Sequence, residues 1–236
     1  MRKAFTIAAK ELNYYFKSPM AYIILFLTIA TFNVFFFLII EHNKEAALDD
    51  MFRLMEFLFL FIIPLLSMRA FAEEKNSGTM EFLMTTPTSN TAIVLGKYLG
   101  VFGFYTLIIL TTLTYYFILA IFSSIGFVEA MTGYFGLWLE GGLFIAISIF
   151  MSSLTSSQII AGMCSYVAIF FLYFCSTLEQ YFEGPLQAFF YYMSSLTHAE
   201  NFAVGIVTLA DLVYYLTGII LFVVLTRISI EQRIWR

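Results

Sequence analysis

Residues 19–40 read PMAYIILFLTIATFNVFFFLII, an apolar run without a single charged side chain. An α-helix rises about 1.5 Å per residue, so roughly 20 residues cross the hydrocarbon of a bilayer. This run is long enough to span a membrane, and a helix that is apolar on every side has no face suited to water. The sequence therefore predicts a transmembrane helix here.

The composition of the whole chain also indicates a membrane protein. Apolar residues make up 61% of the 236 residues and charged residues only 12%, and the mean hydropathy is +0.88. A soluble chain of this composition would expose far more apolar surface than water tolerates. We therefore expect the bilayer to be its solvent.

Five further apolar stretches have spanning length. They lie at residues 52–68, 98–122, 134–151, 159–175 and 209–227, and the last can start anywhere between 204 and 212. No repeat, linker or low-complexity tract divides the chain. We predict an all-α polytopic membrane protein with six transmembrane helices in one domain, residues 1–236.

The basic residues are distributed unequally between the two sides of these six spans. If the N-terminus is inside, ten of the 12 Lys and Arg residues lie on the cytoplasmic side, and only Lys44 and Arg53 lie outside. Short flanks rich in Lys and Arg stay in the cytoplasm during insertion. The pattern predicts that both termini are cytoplasmic. The net charge of -4 says little about partners, because it sums two opposite faces.

Residues 1–18 precede the first span and predict an amphipathic helix at the inner surface. Phe5 and Leu12 recur on one side at helical spacing, whereas Lys10 and Lys17 recur on another. Pro19 then turns the chain into the membrane. Such a helix either anchors the chain or holds a partner protein, and the residues favour neither reading.

Residues 69–97 form a cytoplasmic loop much longer than two antiparallel helices need, which predicts a structure of its own. We expect a charged turn at Glu73 and Glu74, a sharp break at Gly78, and a short helix over residues 79–85 that Pro87 stops. One face of this helix is apolar and the opposite face is acidic. Its residues are Thr79, Met80, Glu81, Leu83 and Met84. The apolar face suits a groove on another protein, or else it lies flat on the lipid.

Residues 176–208 form an outer segment that contains no Lys or Arg. The segment is too polar around 194–201 to cross the bilayer and too aromatic to be a free aqueous loop. Because backbone at membrane depth must satisfy its own hydrogen bonds, we predict two short helices that dip in from the outer surface. Gly184 and Pro185 would open the first helix, and residues 198–201 would form the turn.

Several of these segments together resemble a known family. A helix that ends in Ser18-Pro19, the loop MRAFAEEKNSGTMEFLMTTP at 68–87 and IVLGKYL at 93–99 are similar to the permease subunits of type-2 ABC exporters. Within that class the likeness is to the gliding-motility-type permeases, and next to the nitrous-oxide-reductase accessory permeases.

The resemblance implies a role for each segment. Residues 1–18 would be the elbow helix, residues 79–85 a coupling helix that inserts into a nucleotide-binding subunit, and residues 176–208 a roof over the export path. It also implies two nucleotide-binding subunits that carry ATP and Mg²⁺, and a second permease half, either a homodimer partner or a related permease. An auxiliary extracytoplasmic protein is a further possible partner. The implied location is the bacterial cytoplasmic (inner) membrane.

No motif for catalysis occurs in this sequence. The phosphate-binding pattern G-x-x-x-x-G-K-[ST] is absent. So are His-Glu-x-x-His, Cys-x-x-Cys and Gly-x-Ser-x-Gly. We therefore expect no enzyme activity, cofactor, metal or nucleic-acid partner for this chain, and ATP hydrolysis by a separate subunit.

Four residues are candidates for the export path or for the seam between two permease halves. Glu140 is a charge within the fourth span, where it either faces a hydrophilic path or is a plain interfacial acid. Gly96, Gly100 and Gly142 permit close helix approach, either at a dimer seam or within one subunit. Two functions remain open: the permease of an ATP-driven exporter, or a non-transporting platform that docks an ATPase to an extracytoplasmic assembly.

Overall fold

A computed structural model of the protein describes residues 2–43, 48–81, 88–122 and 126–234. These residues form ten helices of at least eight residues and no strand. The helices are α1 (Arg2–Lys17), α2 (Pro19–Asn43), α3 (Leu48–Ser67), α4 (Arg69–Asn76), α5 (Asn90–Phe122), α6 (Phe127–Leu154), α7 (Gln158–Glu179), α8 (Pro185–Met193), α9 (Ser195–Ala203) and α10 (Leu209–Ile234).

Six of these helices are long and apolar enough to cross a membrane: α2, α3, α5, α6, α7 and α10. The prediction of an all-α protein with six candidate spans is confirmed. Most of the helices are longer than the apolar runs that revealed them. α3 begins at Leu48 rather than at residue 52, α5 at Asn90 rather than 98, and α6 at Phe127 rather than 134. Hydropathy marks only the stretch suited to hydrocarbon, whereas a helix can continue into the interface.

The core of the bundle is built around α6, which packs against α3, α4, α5, α7, α9 and α10. Small residues on α6 let bulky side chains approach its backbone. A Cβ atom at Gly141 would lie 2.1 Å from the ring of Tyr105, whose hydroxyl donates a 2.7 Å hydrogen bond to the carbonyl of Leu137. A Cβ atom at Gly136 would lie 2.4 Å from Phe202 of α9. These glycines therefore fix the distance between α6 and its neighbours.

Helix α1 lies along the first turns of α5. Its buried side is formed by Ala4, Ala8 and Tyr15. The apolar side predicted for this helix includes Ala8 and Tyr15, which are buried, whereas Phe5 on the same side is 65% exposed. Leu12 is half-buried, and it meets α5 at Gly103.

The glycines of α5 that are candidates for close helix approach, Gly96 and Gly100, face this helix. A Cβ atom at Gly96 would lie 2.6 Å from Ile7, and one at Gly100 would lie 2.5 Å from the Cβ atom of Glu11. The alternative of packing within one subunit is therefore the one that the structure shows for both residues. Gly142 of α6 also packs inside the chain, 3.2 Å from Ile219 by the same measure.

Helices α8 and α9 form the predicted hairpin, but its turn lies elsewhere. Gly184 has a φ of 69° and precedes Pro185 at the first position of α8, as expected. The turn between the helices is at Ser194, and residues 198–201 lie inside α9. The prediction of a turn at 198–201 was wrong because it read polarity as exposure, whereas His198 is buried against partners from α10.

Candidate coupling site

The junction between α3 and α4 is hydrogen-bonded to a side chain from α6. Only Met68 separates the two helices. The Ser152 hydroxyl accepts hydrogen bonds from the amides of Phe71 and Ala72, each at 3.0 Å, and donates to the Met68 carbonyl at 2.7 Å. In an unbroken helix these amides would donate to carbonyls four residues earlier, so Ser152 interrupts the ladder. Ser152 is fully buried, which leaves water no access to replace it.

The other end of α4 is bonded to the last turn of α6. The Lys75 ammonium donates to the Ser153 carbonyl, and Ser229 of α10 donates to the same carbonyl at 3.3 Å. The last carbonyls of a helix lack partners within it and carry partial negative charge, which favours an ammonium group there. Both ends of α4 are therefore attached to α6. We call this end of the bundle, with α1, α4 and the start of α5, the basic end.

A buried lysine connects three helices at the basic end. Lys97 of α5 has a side chain only 3% exposed, and its ammonium donates to Glu11 of α1 at 2.9 Å and to Glu74 of α4 at 2.8 Å. The ammonium also lies 5.2 Å from the ring centroid of Phe71. A charge this far from water is tolerated only with such partners. We call Lys97, Glu11 and Glu74 the ionic triad.

An arginine at the start of α4 packs on two tyrosines of α1. The Arg69 guanidinium lies 5.1 Å from the ring centroid of Tyr14 and 4.5 Å from that of Tyr15. It also donates a 3.3 Å hydrogen bond to the Ser18 hydroxyl. In such cation–π contacts the aromatic rings stabilise the guanidinium, so it does not need a carboxylate partner. Arg69 therefore stabilises the α1–α4 contact independently of the ionic triad.

The same tyrosines donate hydrogen bonds to the α3–α4 segment. The Tyr15 hydroxyl donates to the carbonyl of Leu66 at 2.8 Å, and the Tyr14 hydroxyl donates to Glu73 at 2.9 Å. Burial raises the pKa of Tyr15 to about 12. Burial, and then the hydrogen bond to Glu73, raise the pKa of Tyr14. Both phenols therefore stay protonated near neutral pH and remain donors.

A cavity of about 290 Å³ lies between α1, α4 and α5 at this site. Its walls include Lys10, Glu11, Tyr14, Arg69, Glu74 and Lys97. The cavity thus has both signs of charge on its walls and opens at the basic end. We call it the α1–α4 cavity.

The predicted coupling segment is only partly described by the structure. Glu73 and Glu74 lie within α4 and not in a turn, whereas the break occurs as predicted at Gly78, where φ is 70°. Residues 79–81 are helical, starting at Thr79. Leu83, Met84 and Pro87 lie outside the described residues.

The two described side chains that follow Thr79 face different surroundings. Met80 is 6% exposed and packs in the core of the bundle, so it is not free for a groove on another protein. Glu81 is exposed. Of the predicted elbow residues, Lys10 and Lys17 are exposed, and Pro19 begins α2.

Glu140 belongs to a second, buried polar network. It lies at the middle of α6, about 20 Å from the start of that helix at 1.5 Å per residue, and is 2% exposed. Its carboxylate accepts a 2.8 Å hydrogen bond from Ser195 at the start of α9, and the Tyr215 hydroxyl donates to the Ser195 carbonyl at 3.0 Å. Glu140 is therefore buried and far from both ends of α6. The hairpin of α8 and α9 dips to the middle of the bundle and meets it there.

A histidine and an aspartate join the hairpin to α10. His198 Nδ1 lies 2.6 Å from a carboxylate oxygen of Asp211, and both residues are buried. The other carboxylate oxygen of Asp211 accepts hydrogen bonds from Asn201 at 3.1 Å and Thr208 at 2.7 Å. All four residues lie at the end of the bundle opposite to α4, which we call the hairpin end.

A second cavity opens from the spans rather than from either end. It measures about 570 Å³, lies between α6, α7 and α10, and its walls are mostly apolar, with Leu143, Ile147, Phe171, Leu221 and Phe222 among them. Gly218 allows α10 to approach α6 here, since a Cβ atom would lie 2.7 Å from Leu143. We call it the span cavity.

These features define a polytopic membrane protein with an ionic cluster at one end of the bundle and, at the other, a hairpin whose second helix is buried. A family model described as ABC-2 family transporter protein matches residues 5–217. The chain belongs to the ABC-2 family of transporter proteins. It is therefore a permease subunit of an ABC transporter, a class that implies a separate ABC ATPase as partner. No curated protein matches the chain.

Sequence reasoning missed the residues that hold the candidate site together. Ser152, Glu11 and Arg69 were not singled out, although each is bonded across helices. The sequence did contain one signal, which is Lys97 just before an uncharged span. If the helix of that span begins before residue 97, the lysine lies within the helix and requires a carboxylate partner. The partner could not be chosen from the sequence, since Glu11 and Glu74 come from distant segments.

Proposed function

We propose that this chain is the membrane subunit of an ATP-driven exporter in a bacterial inner membrane, with its basic end facing the cytoplasm. Two copies of an ATP-binding subunit would supply ATP and Mg²⁺, and a second permease half would complete the path. The observation that carries the proposal is that α4 is bonded at once to α1, α5 and α6. Force applied near α4 would therefore reach a span directly.

The ATP-binding subunit would contact the exposed end of this unit. Residues 79–81 follow the Gly78 break, and Glu81 is exposed there. Closure of two ATP-binding subunits would move α4, and α4 would move α6 through Ser152 and Ser153. The span cavity is the face that suits an apolar or amphipathic cargo, because its walls are mostly apolar and it opens among the spans.

Co-purification with the ATP-binding subunit expressed beside this chain tests the proposal. The double variant Glu81→Lys with Leu83→Asp should insert normally and lose the ATP-binding subunit, because it changes the exposed Glu81 and the predicted coupling helix and spares the buried Met80. Glu129→Lys, an equally exposed acid at the start of α6, is the matched control and should retain it. Recovery of a normal complex from the double variant would refute the assignment.

A transport assay on the reconstituted complex separates an exporter from a platform. An exporter should show ATP-dependent change in the accessibility of a cysteine placed in the span cavity, for example at Thr217. A platform that only docks an ATPase should show none, even though the complex is intact.

A further inference from the structure

A second buried carboxyl group lies close to Glu140. Glu56 of α3 is 3% exposed, and it forms no hydrogen bond or ion pair with any residue that the structure describes. The other buried carboxyls of the described chain, Glu140 and Asp211, each accept at least one hydrogen bond from a side chain. A buried carboxylate without such a partner is strongly unfavourable, so Glu56 requires an explanation.

The packing of α3 on α6 brings Glu56 to the level of Glu140. Both helices run from the hairpin end toward the basic end, and Phe52 lies against Gly133, where a Cβ atom would be 2.2 Å from its ring. Glu56 follows Phe52 by about one turn and therefore faces Leu137. Glu140 lies one turn beyond Leu137 on the same face of α6, and its charge acts on Glu56. We call these two acids the Glu56–Glu140 pair.

The charged groups around the pair do not neutralise it. Arg53 of α3 and Glu200 of α9 are the other charged side chains that act on Glu56, and both are exposed to solvent. Their charges are opposite, so together they leave the pair with two carboxyls and no compensating cation. Helices α5, α7 and α10 contribute only phenol groups to these surroundings, from Tyr105, Tyr173 and Tyr215.

A proton is the cation that fits this site. The described residues contain no group of three or more Asp, Glu, His or Cys that could hold a metal ion. Glu140 accepts a hydrogen bond from Ser195, which favours a charged carboxylate, whereas no donor favours a charge on Glu56. Two neighbouring buried carboxyls avoid mutual repulsion when one of them carries a proton. Glu56 is the acid of the pair that gains more from being neutral.

We propose that the Glu56–Glu140 pair binds one exchangeable proton, held on Glu56, and that this proton keeps α3 packed against α6 beneath the hairpin. The proton forms the O–H bond of the Glu56 carboxyl and returns to water when that bond breaks. Glu56 lies about 12 Å from the start of α3, so solvent at the hairpin end is its nearest source. Because Ser195 joins Glu140 to α9, loss of the proton should loosen the hairpin as well. No ATP-binding subunit takes part, so the inference goes beyond the proposed function and does not depend on it.

Infrared spectroscopy of the full chain in lipid nanodiscs tests where the proton lies. A protonated carboxyl has a C=O stretching band that a carboxylate lacks. At neutral pH, the wild-type spectrum minus that of Glu56→Gln should contain this band. The matched control is Glu200→Gln, which removes an exposed acid near the same pair, and the corresponding difference should lack the band. A wild-type minus Glu56→Gln spectrum without the band would overturn the inference.

The pH dependence of unfolding gives a second readout. Folded wild-type protein holds a proton that a solvated glutamate gives up near neutral pH, so its stability should be greater at low pH and fall as pH rises. One proton corresponds to an unfolding equilibrium constant that increases up to about tenfold per pH unit. Glu56→Gln cannot ionise and should lack this increase. His198 is unchanged in both proteins, so its own contribution cancels in the comparison.

SDS titration at several pH values measures both slopes. Similar unfolding midpoints of wild type and Glu56→Gln at the lowest pH would show that the variant folds. Glu56→Met, an uncharged side chain of similar length, gives the same comparison if the glutamine variant does not fold. Equal pH dependence of the wild type and the uncharged variant over roughly pH 5–8 would overturn the inference, because the proton would then not be held on Glu56.

Discussion

Replacement of Ser152 by alanine tests whether the α3–α4 junction depends on one hydroxyl. This group accepts from two amides and donates to one carbonyl, and it is fully buried. Alanine has the size of the serine without its oxygen, so the change removes the hydrogen bonds and little else.

The expected cost follows from the number of orphaned groups. Each buried donor left without a partner costs about 1–3 kcal/mol, so the amides of Phe71 and Ala72 set a range of about 2–6 kcal/mol. Partial closure of the helix would let these amides reach carbonyls of the preceding turn. We therefore expect a loss in the lower half of the range, about 2–3 kcal/mol.

Ser148 offers a matched control one turn earlier on the same helix. It is also fully buried, but its hydroxyl has no hydrogen-bond partner among the described residues. Ser148→Ala should be neutral or slightly stabilising, because it removes a polar group that gains nothing from burial. SDS titration in maltoside micelles, followed by circular dichroism, gives both unfolding free energies. Equal values for the two variants would refute the role assigned to Ser152.

Three further predictions concern other parts of the bundle. Lys97→Met should destabilise the chain by about 3–5 kcal/mol, because it leaves two carboxylates facing each other without a cation. Thermal unfolding in detergent measures the loss of stability, and an unchanged unfolding midpoint would contradict the ionic triad. Gly141→Ala should cost about 1–3 kcal/mol of stability through overpacking against a buried tyrosine ring. The cost should exceed that of Gly142→Ala, where the nearest atom to the new Cβ would be 3.1 Å away. SDS titration ranks the two variants, and the reverse order argues against the packing described. Asp211→Ala should speed protease cleavage in the hairpin, because His198 and two other donors lose their acceptor; a cleavage rate equal to wild type would show that the hairpin is held by other contacts.

The fold class was predictable because its signals are local. An apolar run of spanning length dictates a helix whatever lies elsewhere in the chain, so all six spans could be found from hydropathy. The break at Gly78 and the opening of α8 at Gly184 were also predictable, since φ values of 70° and 69° suit only a residue without a side chain.

The site was harder to predict because its contacts join distant residues. Lys97 meets Glu11 and Glu74, and no periodicity in the sequence relates these three positions. Glu140 was placed too near a helix end, because the start of α6 lies in residues less apolar than its centre. Polar character at 198–201 suggested a turn, whereas Asp211 supplies the partner that allows His198 to be buried.

Close-approach glycines illustrate a further limit. The spacing of Gly96 and Gly100 is the pattern by which spans pair, but it does not tell which helix is the neighbour. In the structure the neighbouring helix is α1. The Cβ atom of Ile7 lies beside Gly96, and the Cβ atom of Glu11 lies beside Gly100. A short helix outside the spans can thus use a surface that resembles a contact between subunits.

Helix α6 connects α4 directly to the hairpin of α8 and α9. Ser152 receives α4, and Glu140 receives the tip of the hairpin, twelve residues or about 18 Å apart along α6. Three turns of a well-packed helix neither stretch nor shorten appreciably, so a displacement entering at Ser152 reaches the hairpin undiminished unless a hydrogen bond breaks first. Those few bonds therefore determine whether the hairpin follows a displacement of α4 or stays behind.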